Sequence, residues 1–237
     1  MFLGFYNYTV HLTYLNALSG LMGILILINK GSMHNNLNYA SICILISGIC
    51  DMFDGFVSNL KKTRSIKEKK YGIQIDSLAD IISFGILPIL IGFKLLQQLN
   101  ETNEMFYFLF VFGSVLYILA VLIRLAYFNV LAENDLNLPN LKAKSKIFIG
   151  LPVTLSSVIF PFLILSQNIF LSYNICDLET LKRLFGKIYL FFIILFSFLF
   201  TFDKIKFKKS KSIFFFIFSL LLFCLLIFSL IILKKST

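Results

Sequence analysis

Four aspartates stand in hydrophobic sequence in the order Asp51, Asp54, Asp76 and Asp80. They read Asp51-x-x-Asp54-Gly55 and then Gly72-x-x-x-Asp76-x-x-x-Asp80. Steps of three and four residues return to one face of an α-helix. Two helices can therefore aim two carboxylates each at one point. A carboxylate in lipid is costly and normally faces the inside of a bundle with a partner. Four converging on one point repel unless cations lie between them. The pattern predicts a divalent-metal site at a membrane.

The elements that must position these groups are legible as apolar runs. The chain has 237 residues, 58% of them hydrophobic, more than a soluble domain of this size needs. Residues 8–28, 38–57, 75–96, 105–130 and 147–166 each approach or exceed the roughly 20 residues that span a bilayer. The short stretch 187–202 and a last one, 213–233, follow. Lipid offers backbone groups no partner, so all-helical spans are predicted. The first stretch lacks a basic leader and contains Asn16, Ser19 and Gly20, so it reads as a retained helix. Cys43, Cys50, Cys176 and Cys224 form no Cys-x-x-Cys pair, which leaves neither a disulfide framework nor a zinc site indicated.

The formal net charge of +10 is unevenly distributed. Lys61, Lys62, Arg64, Lys67, Lys69 and Lys70 lie between spans two and three. Lys142, Lys144 and Lys146 precede span five, and Lys204, Lys206, Lys208, Lys209 and Lys211 separate spans six and seven. If the spans alternate, all three groups share one side, and the opposite side carries fewer basic residues. The positive-inside rule puts that side, and the aspartates beside it, at the cytoplasm. Short basic membrane loops are a poor nucleic-acid surface and a good match for anionic lipid headgroups.

The stretch from Asp51 to Asp80, with its four aspartates and its two glycines, resembles the signature of the CDP-alcohol phosphatidyltransferases. Gly72-Ile-Gln-Ile-Asp-Ser-Leu-Ala-Asp-Ile-Ile-Ser-Phe-Gly-Ile-Leu-Pro88 resembles the phosphatidylserine synthase branch of that family. So do Arg124-Leu-Ala-Tyr-Phe-Asn129 and Gly150-Leu-Pro-Val-Thr154. The resemblance implies an all-α integral membrane enzyme with six core helices around a cytoplasm-facing polar cavity, plus about one further C-terminal helix. It implies a transferase domain over residues 1–202, followed by a basic loop and terminal helix over 203–237. The implied reaction takes the phosphatidyl group of CDP-diacylglycerol to L-serine with release of CMP, and the implied assembly is a homodimer.

By the same resemblance, Asp51, Asp54, Asp76 and Asp80 hold two divalent ions, Mg2+ or Mn2+. Asp80 also takes the proton of the attacking hydroxyl. Gly55, Ser58, Gly72 and Asn16 border the nucleotide or its diphosphate. Close helix packing is the competing reading for the two glycines, and an interhelical hydrogen bond the competing one for Asn16. Arg124, Asn129, Lys142 and Lys144 face the acceptor or a phosphate, against snorkelling as the plain explanation of Arg124. Pro88 and Pro152 are expected to kink their spans.

The family continues its Asp-Gly with x-x-Ala-Arg, whereas this chain has Ser58 and Asn59 at the last two positions. Lys61, Lys62 or Arg64 can supply the missing charge. Two other functions fit parts of the pattern. One keeps the family and changes the acceptor to glycerol 3-phosphate or an inositol compound. The other is a cation transporter lined by the aspartates, which the Asp-Gly and Gly-to-Asp spacing disfavours.

Overall fold

The computed structural model describes residues 4, 8–29, 32–61, 63–98, 104–137, 147–172, 177–204 and 206–208, together with 221, 224, 225, 227 and 228. Seven α-helices follow one another: α1 (His11–Ile28), α2 (Met33–Leu60), α3 (Ile66–Asp80), α4 (Leu87–Gln97), α5 (Glu104–Asn137), α6 (Ser156–Ser172) and α7 (Leu178–Thr201). A π-helical turn, Ile81–Ile86, fuses α3 and α4 into one rod. Among the described residues, six helical segments are long and apolar enough to cross a membrane. The protein is an integral membrane protein of the all-α class, as its composition requires. The seventh stretch, 213–233, lies largely outside the described residues.

The boundaries differ from expectation at several places: α3 begins at Ile66 and not at 75, α5 runs on to Asn137, and two more differences bear on the site. Span five was expected from residue 147, but Ile147–Ile149 form a short strand, β1. It pairs antiparallel with β2 (Lys206–Lys208), Ile147 opposite Lys208 and Ile149 opposite Lys206. Gly150 and Pro152 separate this strand from the helix that follows. Pro152 sits in extended backbone ahead of α6 instead of kinking it, and Pro161 is the proline inside that helix. Span six starts earlier than residue 187: α7 begins at Leu178, with Lys182, Arg183 and Lys187 in its first turns. Basic side chains near a helix end can reach the interface, so they do not stop the helix.

Pro88 lies in the first turn of α4. It has no N–H for the carbonyl four residues back, that of Phe84. Tyr117 of α5 supplies the donor: its hydroxyl reaches the Phe84 carbonyl at 2.7 Å. Tyr189 of α7 donates to the Pro88 carbonyl, also at 2.7 Å. These two tyrosines anchor an aromatic core with Phe160, Phe196 and Phe200. The Phe160 and Tyr189 ring centres lie 4.8 Å apart, and Phe196 stacks on Phe200 at 5.4 Å. Gly92 admits the Phe110 and Tyr189 rings, which would lie 2.9 and 2.7 Å from a Cβ there.

One end of the bundle gathers the loop between α2 and α3, the end of α5, the β ribbon and the end of α7. Lys70 and Glu133 join α3 to α5 there at 3.6 Å. Arg124 Nη2 donates to the Gly150 carbonyl at 3.3 Å, joining α5 to the end of the ribbon. The basic loop between α2 and α3 and the strand carrying Lys206 and Lys208 lie at this end, while Lys142, Lys144, Lys146, Lys209 and Lys211 lie outside the described residues. The aspartates lie just inside this end.

Candidate active site

The α2 and α3 helices are joined by a short turn and run back along each other. The order of the aspartates is reversed between them, so Asp51 faces Asp80 and Asp54 faces Asp76. Ligand oxygens of Asp51, Asp76 and Asp80 all lie within 4.8 Å of one another. Asp80 is buried, 5% exposed. Three of the four carboxylates expected at one point are thus brought together, and Asp54 is not among the three.

The α1 helix carries no acid, yet it orients two of these groups. Thr13 Oγ1 donates to Asp54 Oδ2 at 2.7 Å, and Asn16 Nδ2 donates to Asp80 Oδ1 at 3.0 Å. Thr13 and Asn16 are three residues apart and so share a helix face. The Asn16 carbonyl accepts from Ser47 at 3.1 Å and from Ser83 at 3.0 Å. Ser47 lies one turn before Asp51 and Ser83 one turn after Asp80. The α1 helix can approach this closely because Gly20 faces the π turn: a Cβ there would stand 3.0 Å from Ser83 Cα. Ser47 and Ser83 escaped the sequence reading. Their only signal is a hydroxyl in an apolar span, one turn from an aspartate.

On the other side of α3 a ladder of side chains reaches α5. Ser77 Oγ donates to Asn129 Oδ1 at 2.7 Å, Asn129 Nδ2 to Gln74 Oε1 at 3.3 Å, and Gln74 Nε2 to Glu133 Oε1 at 3.1 Å. Gln74 and Glu133 were also missed, since polar groups at a helix end resemble ordinary solvated positions. Asn129 therefore stands beside the aspartate helix. Arg124 is buried, and the hydrogen bond it makes to Gly150 faces the ribbon. Ser58 turns its hydroxyl back to the Gly55 carbonyl at 3.0 Å. Nothing lies within 4 Å of where a Gly55 Cβ would be, so the face above this glycine is open. Gly72 is covered by Arg64, whose Nη1 would be 3.7 Å from a Cβ. Lys142 and Lys144 lie outside the described residues.

The donor set suits a divalent metal. Carboxylate oxygens are the ligands that magnesium and manganese prefer. Asp76 Oδ1 is buried without a hydrogen-bond partner. Among the described residues the ion pairs are Lys61–Glu68 and Lys70–Glu133, and neither neutralises an aspartate of the cluster. Buried acids that no ion pair neutralises call for a cation.

The family profile described as CDP-alcohol phosphatidyltransferase matches residues 6–234. The chain is 31% identical over 147 residues to the archaetidylserine synthase of Methanothermobacter thermautotrophicus, covering 62% of this chain and 53% of that protein. It is 30% identical over 176 residues to the CDP-diacylglycerol–serine O-phosphatidyltransferase of Helicobacter pylori, covering 72% and 60%. The protein of the same name from Saccharomyces cerevisiae is 33% identical over 146 residues, covering 60% and 48%. The chain thus spans about half to three fifths of the length of these relatives.

Proposed function

The chain belongs to the CDP-alcohol phosphatidyltransferase family, and from that premise we propose that it transfers the phosphatidyl group of CDP-diacylglycerol to L-serine. The relatives' names supply the acceptor. The observation that carries the reading is the convergence of Asp51, Asp76 and Asp80 within 4.8 Å beside the open face of Gly55.

The serine hydroxyl oxygen forms a bond to the phosphatidyl phosphorus. The bond from that phosphorus to the CMP phosphate breaks, and CMP leaves with its electron pair. Asp80 receives the hydroxyl proton, held in position by Asn16. Asp51, Asp54, Asp76 and Asp80 would hold two divalent cations, Mg2+ or Mn2+, which when bound neutralise the diphosphate. Thr13 and Asn16 fix two of these carboxylates, so that little reorganisation is needed at the moment of reaction. Gly55 and Gly72 give the nucleotide room near the backbone, and Ser58 borders the same space. Arg124 and Asn129 of α5 form the acceptor side, a role that the family resemblance alone extends to Lys142 and Lys144.

In this reading residues 1–202 are the catalytic unit. Residues 203–237 are an extension whose first strand rests on β1. The site faces the cytoplasm, a reading supported by the basic loop between α2 and α3 at its end of the bundle. The protein works as a homodimer.

The deciding experiment is CMP release by purified protein with CDP-diacylglycerol and Mg2+ or Mn2+, with and without L-serine. Parallel reactions contain glycerol 3-phosphate or inositol, and Asp80→Asn serves as the control. Serine-dependent release that the substitution abolishes supports the proposal. Release with another alcohol alone changes the acceptor, and no release with any alcohol defeats the reading.

A further inference from the structure

The turn between α2 and α3 is closed by its own side chains. The Ser65 hydroxyl accepts from the Glu68 backbone N–H at 3.2 Å, and the Glu68 carboxylate accepts from the Ser65 N–H at 2.8 Å. This reciprocal cap fixes how the chain enters α3. The other Glu68 oxygen meets Lys61 Nζ at 3.4 Å, so the same carboxylate also holds the end of α2. Arg64 lies inside the closed turn, one residue before the cap.

The guanidinium of Arg64 lies over Gly72, one helical turn before Asp76. Its charge acts on Asp54, yet it enters neither ion pair found among the described residues. Its Nε is buried and has no hydrogen-bond partner. Buried donors are nearly always satisfied, so an unspent one beside the aspartate cluster points to a ligand. Three neighbouring groups are committed elsewhere: Lys61 to Glu68, Lys70 to Glu133, and the Ser58 hydroxyl to the Gly55 carbonyl. Lys62 lies outside the described residues.

We propose that Arg64 binds the diphosphate of the nucleotide-linked donor. This rests on the reading of the site given above. A guanidinium presents a planar fork suited to phosphate oxygens, and the closed turn holds it in place before the ligand arrives. The assignment to the donor follows from position. Arg64 stands at the Gly72 and Asp54 end of the cluster, near the open face of Gly55. Asp80, which meets the acceptor hydroxyl, lies one turn deeper against Asn16.

The test compares wild type, Arg64→Gln and Arg64→Lys. CMP release is measured against CDP-diacylglycerol and against L-serine, and cytidine diphosphate binding in Mg2+ is measured by titration calorimetry. Arg64→Gln is expected to raise the KM for CDP-diacylglycerol at least tenfold and to weaken cytidine diphosphate binding similarly. The serine KM should stay within twofold, and Arg64→Lys, which keeps charge but not the fork, should fall between. A donor KM and nucleotide affinity within twofold of wild type in Arg64→Gln would overturn the proposal, as would a change in the serine KM alone. Should Arg64→Gln fail to fold, Arg64→Lys decides: weakened nucleotide binding supports the assignment, and wild-type binding overturns it. If wild type releases no CMP with any alcohol, the proposed activity fails, and the calorimetric comparison still decides Arg64. Wild-type protein that binds no cytidine diphosphate overturns both.

Discussion

The Asn16 amide donates to Asp80 Oδ1 at 3.0 Å while the Asn16 carbonyl accepts from Ser47 and Ser83. One residue of α1 thereby links α2, the π turn and a carboxylate of α3. Asn16 is wholly buried, so its amide serves the protein's own acid. The side chain and the backbone do separable jobs: one orients Asp80, the other holds helices together.

That separation can be tested with Asn16→Ala. The substitution deletes the amide but keeps the carbonyl that the two serines use. Loss of an outer partner of a metal-site ligand typically costs 10–100-fold in activity, so kcat should fall by about that factor. Stability should fall by about 1–3 kcal/mol, the cost of leaving a buried acceptor unpaired. Steady-state CMP release and thermal melting in detergent give both numbers. A kcat within twofold of wild type would show that Asp80 needs no such support.

The pairing of Asp51 with Asp80 and of Asp54 with Asp76 brings like charges together in a poorly solvated place. A cation bound there should stabilise the fold, by about 2.7 kcal/mol at a concentration 100 times its Kd. The protein should therefore melt at a lower temperature in EDTA than in Mg2+. Asp76→Asn removes one charge from the cluster. It should abolish CMP release, shrink the Mg2+-induced melting shift, and leave the metal-free protein no less stable than wild type. A melting temperature indifferent to EDTA, or a full Mg2+ shift in Asp76→Asn, would count against a metal at these residues.

Much of this site was legible because helical spacing alone converts Asp51-x-x-Asp54 and Asp76-x-x-x-Asp80 into two converging pairs. Thr13 and Asn16 were visible as polar residues at helical spacing in a lipid-exposed run. Ser47 and Ser83 were not, because their acceptor is a backbone carbonyl and leaves no trace in sequence. The ribbon was hidden for a different reason. Ile147–Ile149 is a three-residue apolar run adjoining a helix, and periodicity cannot separate a short strand from a buried helical turn. Gly150 and Pro152 held the information and were read as parts of a span. The early start of α7 was masked by Lys182, Arg183 and Lys187, which depress apolarity without ending a helix at its interface end.

Gly55 and Gly92 should respond oppositely to alanine. A Cβ at Gly92 would lie 2.7 Å from Tyr189 Cε1 and 2.9 Å from the Phe110 ring. Both rings belong to the packed core, where overpacking typically costs about 1–3 kcal/mol. Gly92→Ala should lower the melting temperature and leave the KM for CDP-diacylglycerol unchanged in the protein that remains folded. A Cβ at Gly55 would meet nothing within 4 Å, so Gly55→Ala should fold normally. If the nucleotide lies over Gly55, the donor KM should rise several-fold while the melting temperature holds. A normal donor KM in Gly55→Ala would move the nucleotide elsewhere.

Arg124 and Gly150 should act as one unit. Gly150 has φ +78°, a conformation that strains any residue with a Cβ. A Cβ there would also stand 3.0 Å from Arg124 Nη1 and 3.5 Å from the Phe200 carbonyl oxygen. Gly150→Ala should therefore destabilise the protein by about 1–3 kcal/mol, the range for a strained backbone position. It should also displace the carbonyl that Arg124 Nη2 reaches. Arg124→Lys breaks the same link from the other side, since an ammonium cannot reproduce the guanidinium's directed donors. Residues in direct contact are expected to couple, so the double variant should lose less stability than the two single losses added together. Chemical or thermal denaturation of the four proteins in detergent measures that coupling. Simple additivity would mean that the contact between α5 and the end of the ribbon contributes nothing to the fold, and that Arg124 must be explained by its acceptor-side role alone.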